Sequence, residues 1–244
     1  QQLRDLQYKG YDVFVNLCEG YLDWDIPSID VIYALEMLKL PFTGPTSRLY
    51  DPTKELMKYV AFTENVNTPR YALISKLDEV EKSISKLSFP LFVKPAKAGD
   101  SLGVDDHSPC HSADEVKEKV KSILDEYPTI LIEEYIAGRE FTVLLAAEPN
   151  NEKQARTFKP VEYIFPTGFA YKTYALKTSE LHTEANIPCN DPDLEAKLRS
   201  AAQRIFRGFG GVGYARMDFR VNDNNEIYFL EVNFTCSVFY SDGY

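Results

Sequence analysis

The spacing of apolar residues changes character several times along the chain. Tyr11 to Leu17, YDVFVNL, is an apolar run of strand length and predicts a buried strand of the parallel type. Gly20 and Pro27 mark a loop after it. Ile29 to Leu40 then shows helical apolar spacing, with Ser28 in position to cap its N-terminus. PFTGP reads as a short strand and turn. Asp51 to Asn65 is a helix by periodicity, Asn67-Thr68-Pro69 ends it, and Arg70 to Ser75 begins a strand. Glu79 to Leu87 is a further short helix, and Phe89 to Pro95, FPLFVKP, an apolar strand. Ala113 to Tyr127 alternates acids and lysines and reads as an exposed helix. Thr129 to Glu148 is a strand, a break at Gly138 and a second strand; such a break beside carboxylates marks a hinge between subdomains. The 149–160 segment is a polar loop, PVEYIFP a strand, and Asp191 to Phe209 a helix. Between them Gly168 to Cys189 is long, polar and aromatic without a clear period, which in a compact protein marks a functional or disordered loop. His182 within it reads as a surface residue.

The last stretch, Gly211 to Tyr240, is a hairpin: VGYARMDFRV and EIYFLEVNF are strands, joined by the turn formers Asp223, Asn224 and Asn225. Glu231 and Asn233 are two apart and share a face. If the register brings Asp218 to that face, three oxygen-bearing side chains converge, a set that suits Mg²⁺. A polar outer face on an amphipathic hairpin gives the same pattern.

Composition narrows the class. A chain of 244 residues with 44% hydrophobic content buries a substantial core, and the mixed patterning points to α/β or α+β. The net charge of −10 argues against a nucleic-acid binder, yet permits a local basic pocket for an anion. Cys18, Cys110, Cys189 and Cys236 form no CxxC and read as reduced thiols of a cytoplasmic protein. No run of about 18 apolar residues exists, so no membrane span is expected. No signal peptide is visible; the chain opens on Gln1 and stops at Tyr244, and reads as the ordered part of a longer protein, so terminal targeting signals would lie outside it.

Two further features carry chemistry. Lys94 is embedded in an apolar strand, where an ammonium needs an anion unless it sits at an edge or points outward. Directly after it, Gly99 and Gly103 bracket Asp100, Ser101 and Leu102 in a Gly-rich loop of the sort whose backbone closes on phosphates, although most such loops are merely turns. Adjacent Glu133 and Glu134 must face opposite sides if extended, so one can face a ligand while the other faces water. Glu19, Asp23 and Asp25 read as solvated loop charges.

The order of these features, FVKP, then AGDSLGV, LIEEYIAGRE, ARMDF and LEVN, resembles the ATP-grasp superfamily, and within it the D-alanine–D-alanine ligase branch, from about Asp12 to Tyr240. The resemblance implies an α/β chain built of α+β subdomains. Nucleotide lies between two of them: a central one (47–137) and a C-terminal one (138–244), preceded by a partial N-terminal α/β subdomain (1–46). It implies an ATP-dependent carboxylate–amine ligase working through an acyl phosphate, with ATP and Mg²⁺ (or Mn²⁺), small amino-acid or peptide substrates and a homodimer as an option, though no interface is legible. Lys94 matches the strand lysine on the phosphates, and Lys54 a second one, its spacing to Pro69 about two residues long. Ser101 and Gly103 match the phosphate loop. Glu133, Tyr135 and Ile136 match the adenine linker, Glu140 the ribose carboxylate, and Lys177 the γ-phosphate lysine of a mobile loop. Asp218, Glu231 and Asn233 match the metal ligands, with Leu230 beside them against the nucleotide, and Arg216 matches the transition-state arginine.

Two departures bear on the substrate. Cys18-Glu19-Gly20 stands where the branch has His-Gly, and Phe234 to Tyr240 contains no Pro-Gly turn. Both fall in the amino-acid site that the resemblance implies, so ligases for other amino-acid or natural-product substrates stay open. So do carboxylate phosphorylation without ligation and an ATP-binding regulatory module without turnover. Cys236 reads as a small buried packing residue rather than a nucleophile.

Overall fold

Ten short strands make two antiparallel sheets in the computed structural model, which describes residues 2–18, 26, 28–97, 102–148, 155–166, 171 and 186–236. The first sheet has the order β1 (Tyr71–Ile74), β4 (Ile130–Glu134), β2 (Leu91–Pro95), β3 (Pro109–Cys110). The second runs β10 (Ile227–Asn233), β9 (Tyr214–Val221), β5 (Arg139–Ala147), β7 (Val161–Tyr163), β8 (Asn186–Pro188), with β6 (Ala155–Thr157) also on β5.

Each sheet buries one face under helices. Leu91, Val93, Ile130 and Ile132 alternate along β2 and β4 into a core closed by α4 (Val80–Ile84) and α5 (Ala113–Leu124). Phe141, Val143, Ala215, Met217 and Phe219 do the same on the second sheet, against α3 (Lys54–Thr63) and α6 (Pro192–Gly208). Residues Leu194, Leu198, Ala201, Ala202 and Ile205 recur at helical spacing on α6 and are buried there. Thr53 caps α3 by accepting from Leu56 N–H, and Asp191 caps α6 through Asp193 and Leu194. The opposite faces of the two sheets border a common cleft, which Lys54 of α3 enters from one side.

The chain crosses between the sheets twice, side by side. One crossing is 64–70, between α3 and β1; the other is 135–138, between β4 and β5. They run together from the end of the β1–β4 ladder, where Glu134 N–H, just before the second crossing, donates to Arg70 O at 2.9 Å. Gly138 serves the second crossing. It has φ +127°, and a Cβ there would lie 2.1 Å from Val221 O, so both conformation and space call for glycine.

Several sequence expectations change. Residues 11–17 form no strand: the segment has one parallel bridge, Phe14 to Phe42, and Tyr11, Val13, Val15 and Leu17 are more than half exposed. An apolar run is buried in a parallel sheet because neighbours cover both faces, and one bridge supplies no such cover. The next helix, α2 (Ile29–Met37), is shorter than predicted, and Ser28 at its cap, at φ 63°, makes no capping hydrogen bond. Helix α5 is not exposed all round: Val116 and Val120 are fully buried, and Lys119, which pairs with Asp105 at 2.8 Å, is buried too. The polar 149–160 segment contains strand β6, held by three ladder positions on β5. A further short helix, α1 (Gln2–Leu6), opens the described chain.

Candidate active site

The cleft holds about 970 Å³, counted with the solvent space at its mouth. Its first wall comes from the alternation of β2 and β4. Phe92 lies opposite Glu133, and Lys94 two residues on shares their face, while Leu91 and Val93 point into the core. The second wall comes from β9, where Arg216, Asp218 and Arg220 alternate with the fully buried Ala215, Met217 and Phe219.

Strand β10 needs an irregularity to join this wall. Phe229 pairs with Phe219 and Glu231 with Asp218, so Leu230 is an extra residue in a β-bulge. Without it, strict alternation from buried Phe229 would turn Glu231 into the core. With it, Phe229 and Val232 both reach the core, and Leu230 and Glu231 both line the cleft. Asp218 and Glu231 become direct cross-strand neighbours.

The charges are distributed across both walls. Glu133, 4% exposed, binds Lys94 through Oε1 and Lys58 through Oε2, the latter at 2.7 Å. Lys58 also donates to Thr68 Oγ1 at 2.9 Å. Burial alone would raise the Glu133 carboxyl, but the two ammonium groups outweigh it and hold it at about 2. Burial pulls Lys94 down, yet Glu133 and Glu231 outweigh it and raise it. For Lys58 burial dominates over the pull of Glu133, and its pKa is lowered. On the far side, Lys54 of α3 lies 3.5 Å from Glu231.

Asp218 shows that this set suits a cation. Among the described residues its buried Oδ1 has no hydrogen-bond partner, and Arg216 Nε stands 4.0 Å away, too far to donate. A buried carboxylate oxygen without a donor, beside the carboxylate of Glu231, fits a hard divalent ion. Asn233 is less convergent: it is exposed, and its Oδ1 accepts from Thr235 N at 2.8 Å and Thr235 Oγ1 at 3.2 Å. Among the described residues no group of three or more His, Cys, Asp and Glu gathers at metal-binding distance, so any oxygen site here combines two carboxylates with other donors.

The 135–138 crossing closes the end of the cleft. Tyr135 N–H donates to Pro90 O at 2.9 Å, and Ile136 O accepts from Arg220 Nε at 2.9 Å. Arg220, 3% exposed, also donates to Tyr135 Oη at 2.7 Å and lies 3.5 Å from Glu140. Tyr171 meets Phe92 edge-on at 5.3 Å between ring centres and donates to Asp105 O at 3.2 Å; burial pushes its phenol up to about 12. Gly103, φ +73°, borders this side, and a Cβ there would lie 2.6 Å from Pro95 Cγ.

A family model described as D-ala D-ala ligase C-terminus matches residues 56–238. The chain belongs to that family. Every described cleft residue named above except Lys54 lies within the match. A D-alanine–D-alanine ligase of Dechloromonas aromatica (strain RCB) is 30% identical over 209 residues, covering 82% of this chain and 64% of the relative. One from Aquifex aeolicus (strain VF5) is 30% identical over 203 residues, with the same coverages of 82% and 64%. Among solved structures, the VanG D-Ala:D-Ser ligase of Enterococcus faecalis superposes with a TM-score of 0.70 at 20% identity, over 92% of this chain and 64% of that one. The Bacillus anthracis D-alanine–D-alanine ligase complexed with ATP gives 0.66 at 22%, over 95% and 70%. These likenesses show the ATP-grasp fold. The chain spans less than two thirds of the length of these curated relatives.

In this D-ala D-ala ligase C-terminus chain the cleft gathers Lys54, Lys94, Glu133, Tyr135, Ile136, Glu140, Arg216, Asp218, Leu230 and Glu231 from the sequence expectations. Gly103 adjoins it between the lining residues Leu102 and Val104, and Asn233 stands aside. Ser101, Lys177, His182, Glu19, Gly20, Asp23, Asp25 and the tail from Ser237 to Tyr240 lie outside the described residues. Of the glutamate pair, Glu133 is the buried member, and Glu134 accepts from Ser88 N–H at 2.8 Å at the surface. Lys94 lies on an inner strand and is paired. Cys236, 3% exposed, is buried as expected. Charged and aromatic residues were missed, among them Phe92, Arg220, Lys58 and Tyr171. Arg220 was discoverable, since it continues the every-second-residue series of Arg216 and Asp218. Lys58 lies one helical turn after Lys54, but nothing local marks it as buried. Tyr171 carries no sequence signal beyond its place in a long aromatic loop.

Proposed function

We propose that this chain carries the nucleotide and phosphoryl-transfer site of an ATP-dependent carboxylate–amine ligase. The observation that supports it is the meeting of two kinds of charge in one cleft: the Lys94 and Lys54 ammonium groups face the Asp218–Glu231 carboxylate pair and Arg216. Phosphoryl transfer needs such a surround, because charge spreads over the moving phosphoryl group and must be balanced from several sides.

In this reading a substrate carboxylate oxygen attacks the γ-phosphorus of ATP and ADP leaves. An amine then attacks the acyl carbon, and phosphate leaves as the amide bond closes. Lys94, Lys54 and the loop lysine Lys177 hold the phosphates; Ser101 and Gly103 close over them. Tyr135, Ile136 and Leu230 flank the base, and Glu140 takes the ribose hydroxyls. Asp218 and Glu231, with Asn233 next to them on β10, would hold Mg²⁺ or Mn²⁺, which would supply charge neutralisation for the phosphates. The Arg216 guanidinium, permanently charged, donates to the oxyanion that forms at the acyl carbon.

The acid and the amine are amino acids, as the names D-alanine–D-alanine ligase and D-Ala:D-Ser ligase indicate for the related proteins. The departures at Cys18 to Gly20 and Phe234 to Tyr240 leave this chain free to take a partner other than D-alanine. The test is ADP release measured across a panel of D- and L-amino acids, with products identified by mass spectrometry. Release that needs both a carboxylate and an amine, with an amide product, supports the reading, and Asp218→Asn and Glu231→Gln should each lower it by on the order of 100-fold or more. Nucleotide binding with no carboxylate-dependent ADP release would establish a binding module instead. Undiminished release in both variants would remove the metal assignment.

A further inference from the structure

Beside the first wall, on α3, lies a charged side chain that the proposed chemistry does not use. Lys58 is 2% exposed and does not border the cleft; it reaches Glu133 from the helix side, over the ring of Tyr71. Glu133 is thereby shared. One carboxylate oxygen faces Lys94, the cleft lysine, and the other faces Lys58 at 2.7 Å. Two ammonium groups against one carboxylate leave one net positive charge, and Lys94 is the member that lines the cleft.

We propose that Lys58 is a positioning residue that sets the affinity of the cleft for a polyphosphate chain, by taking half of Glu133 and so keeping Lys94 available to an anion. Without Lys58, Glu133 neutralises Lys94 outright. The three-residue group then carries no net charge, and an arriving phosphate must pull Lys94 out of a closed ion pair. With Lys58, Lys94 can turn from Glu133 to phosphate while the buried carboxylate keeps a cation and Thr68 keeps the Lys58 head in place. The charge of Lys58 thus acts on the ligand through Glu133, without touching it.

The identity of the anion as the phosphate chain of a nucleotide rests on the proposed function, and the experiment separates the two. Wild type, K58M, K58R and K58M/E133Q are titrated with ATP, ADP, adenosine and inorganic tripolyphosphate by calorimetry, after circular dichroism confirms folding. K58M should bind ATP, ADP and tripolyphosphate on the order of ten- to 100-fold more weakly, the effect of one unit charge several ångströms away at intermediate dielectric. Adenosine affinity should stay unchanged, which a merely structural role would not give. K58R should remain within about threefold of wild type, since it keeps the charge. K58M/E133Q removes one charge of each sign and should recover most of the loss. This double variant is also compared directly with wild type, so the test survives if K58M alone does not fold. Equal weakening of adenosine and tripolyphosphate, or wild-type affinity in K58M, overturns the inference. A double variant that stays as weak as K58M also overturns it. Wild type that binds tripolyphosphate but neither nucleotide overturns the nucleotide reading and leaves the Lys58 arms to decide this one; wild type that binds none of the anions overturns both.

Discussion

Replacing Arg220 with methionine tests whether the junction between the two sheets depends on one guanidinium. Arg220 is 3% exposed and Glu140 beside it 6%. The side chain gives Nε–H to Ile136 O at 2.9 Å and an Nη2–H to Tyr135 Oη at 2.7 Å, and its Nη1 is 3.5 Å from Glu140 Oε2. Charge-assisted hydrogen bonds contribute about 1.5–3 kcal/mol each, and removing one partner of a buried pair costs about 3–5 kcal/mol. These terms do not add, because the methionine stem keeps the packing and Glu140 retains other interactions. We therefore expect R220M to lose about 3 kcal/mol, or roughly 6–12 °C in Tm for a chain of this size. Urea unfolding without ligand measures it. E140Q and the double variant complete a cycle, and a coupling of about 1–2 kcal/mol between the two sites is expected. R220M within about 0.5 kcal/mol of wild type, or zero coupling, would refute the claim that this guanidinium holds the junction.

Three further outcomes follow from the geometry. Gly138→Ala forces a Cβ to 2.1 Å from Val221 O at a φ of +127°, and should cost about 3 kcal/mol or more in the same urea assay. Glu133 is held at about 2 against an ordinary 4.5, so its contribution is present above the ordinary value and is lost as pH falls from about 4.5 through 2; Glu133→Gln should remove about 3 kcal/mol of that pH-dependent stability, read from urea midpoints between pH 5 and 2.5. Of the four thiols, Cys18 is exposed while Cys110, Cys189 and Cys236 are buried, with burial pushing Cys110 up to about 11. Native protein should therefore show one fast-reacting thiol with an aromatic disulfide reagent, and all four only in denaturant.

The parts of the site that could be read in advance share a local cause. The hairpin from Tyr214 to Asn233 declares itself through its turn residues and its alternation, and Glu133 and Glu134 split between the faces of β4 as adjacent strand residues must. What could not be read depends on distant chain. Lys94 and Glu133 are brought together only by the pairing of β2 with β4, and Lys58 meets Glu133 across 75 positions of sequence. The bulge at Leu230 leaves no compositional trace, because one extra residue looks like any other leucine in a strand. Strand β6 was hidden because an edge strand buries little; of ART only Ala155 turns inward. Residues 11–17 failed in the opposite sense, since apolar content predicts burial only where neighbours exist to provide it.

The two side-by-side crossings give the molecule the form of a book bound along one spine. The strip 64–70 and the strip 135–138 are stitched to each other by the Glu134–Arg70 bond and to the second cover by Arg220 and by Phe229 N–H on Asn67 O at 2.8 Å. Covers bound in this way keep their spacing near the binding, where Tyr135, Ile136 and Glu140 lie. At the fore-edge stand Leu102, Val104 and Tyr171, and there the clasp is Tyr171 Oη–H on Asp105 O at 3.2 Å. The page nearest the spine thus meets whatever enters at a depth that the binding itself sets.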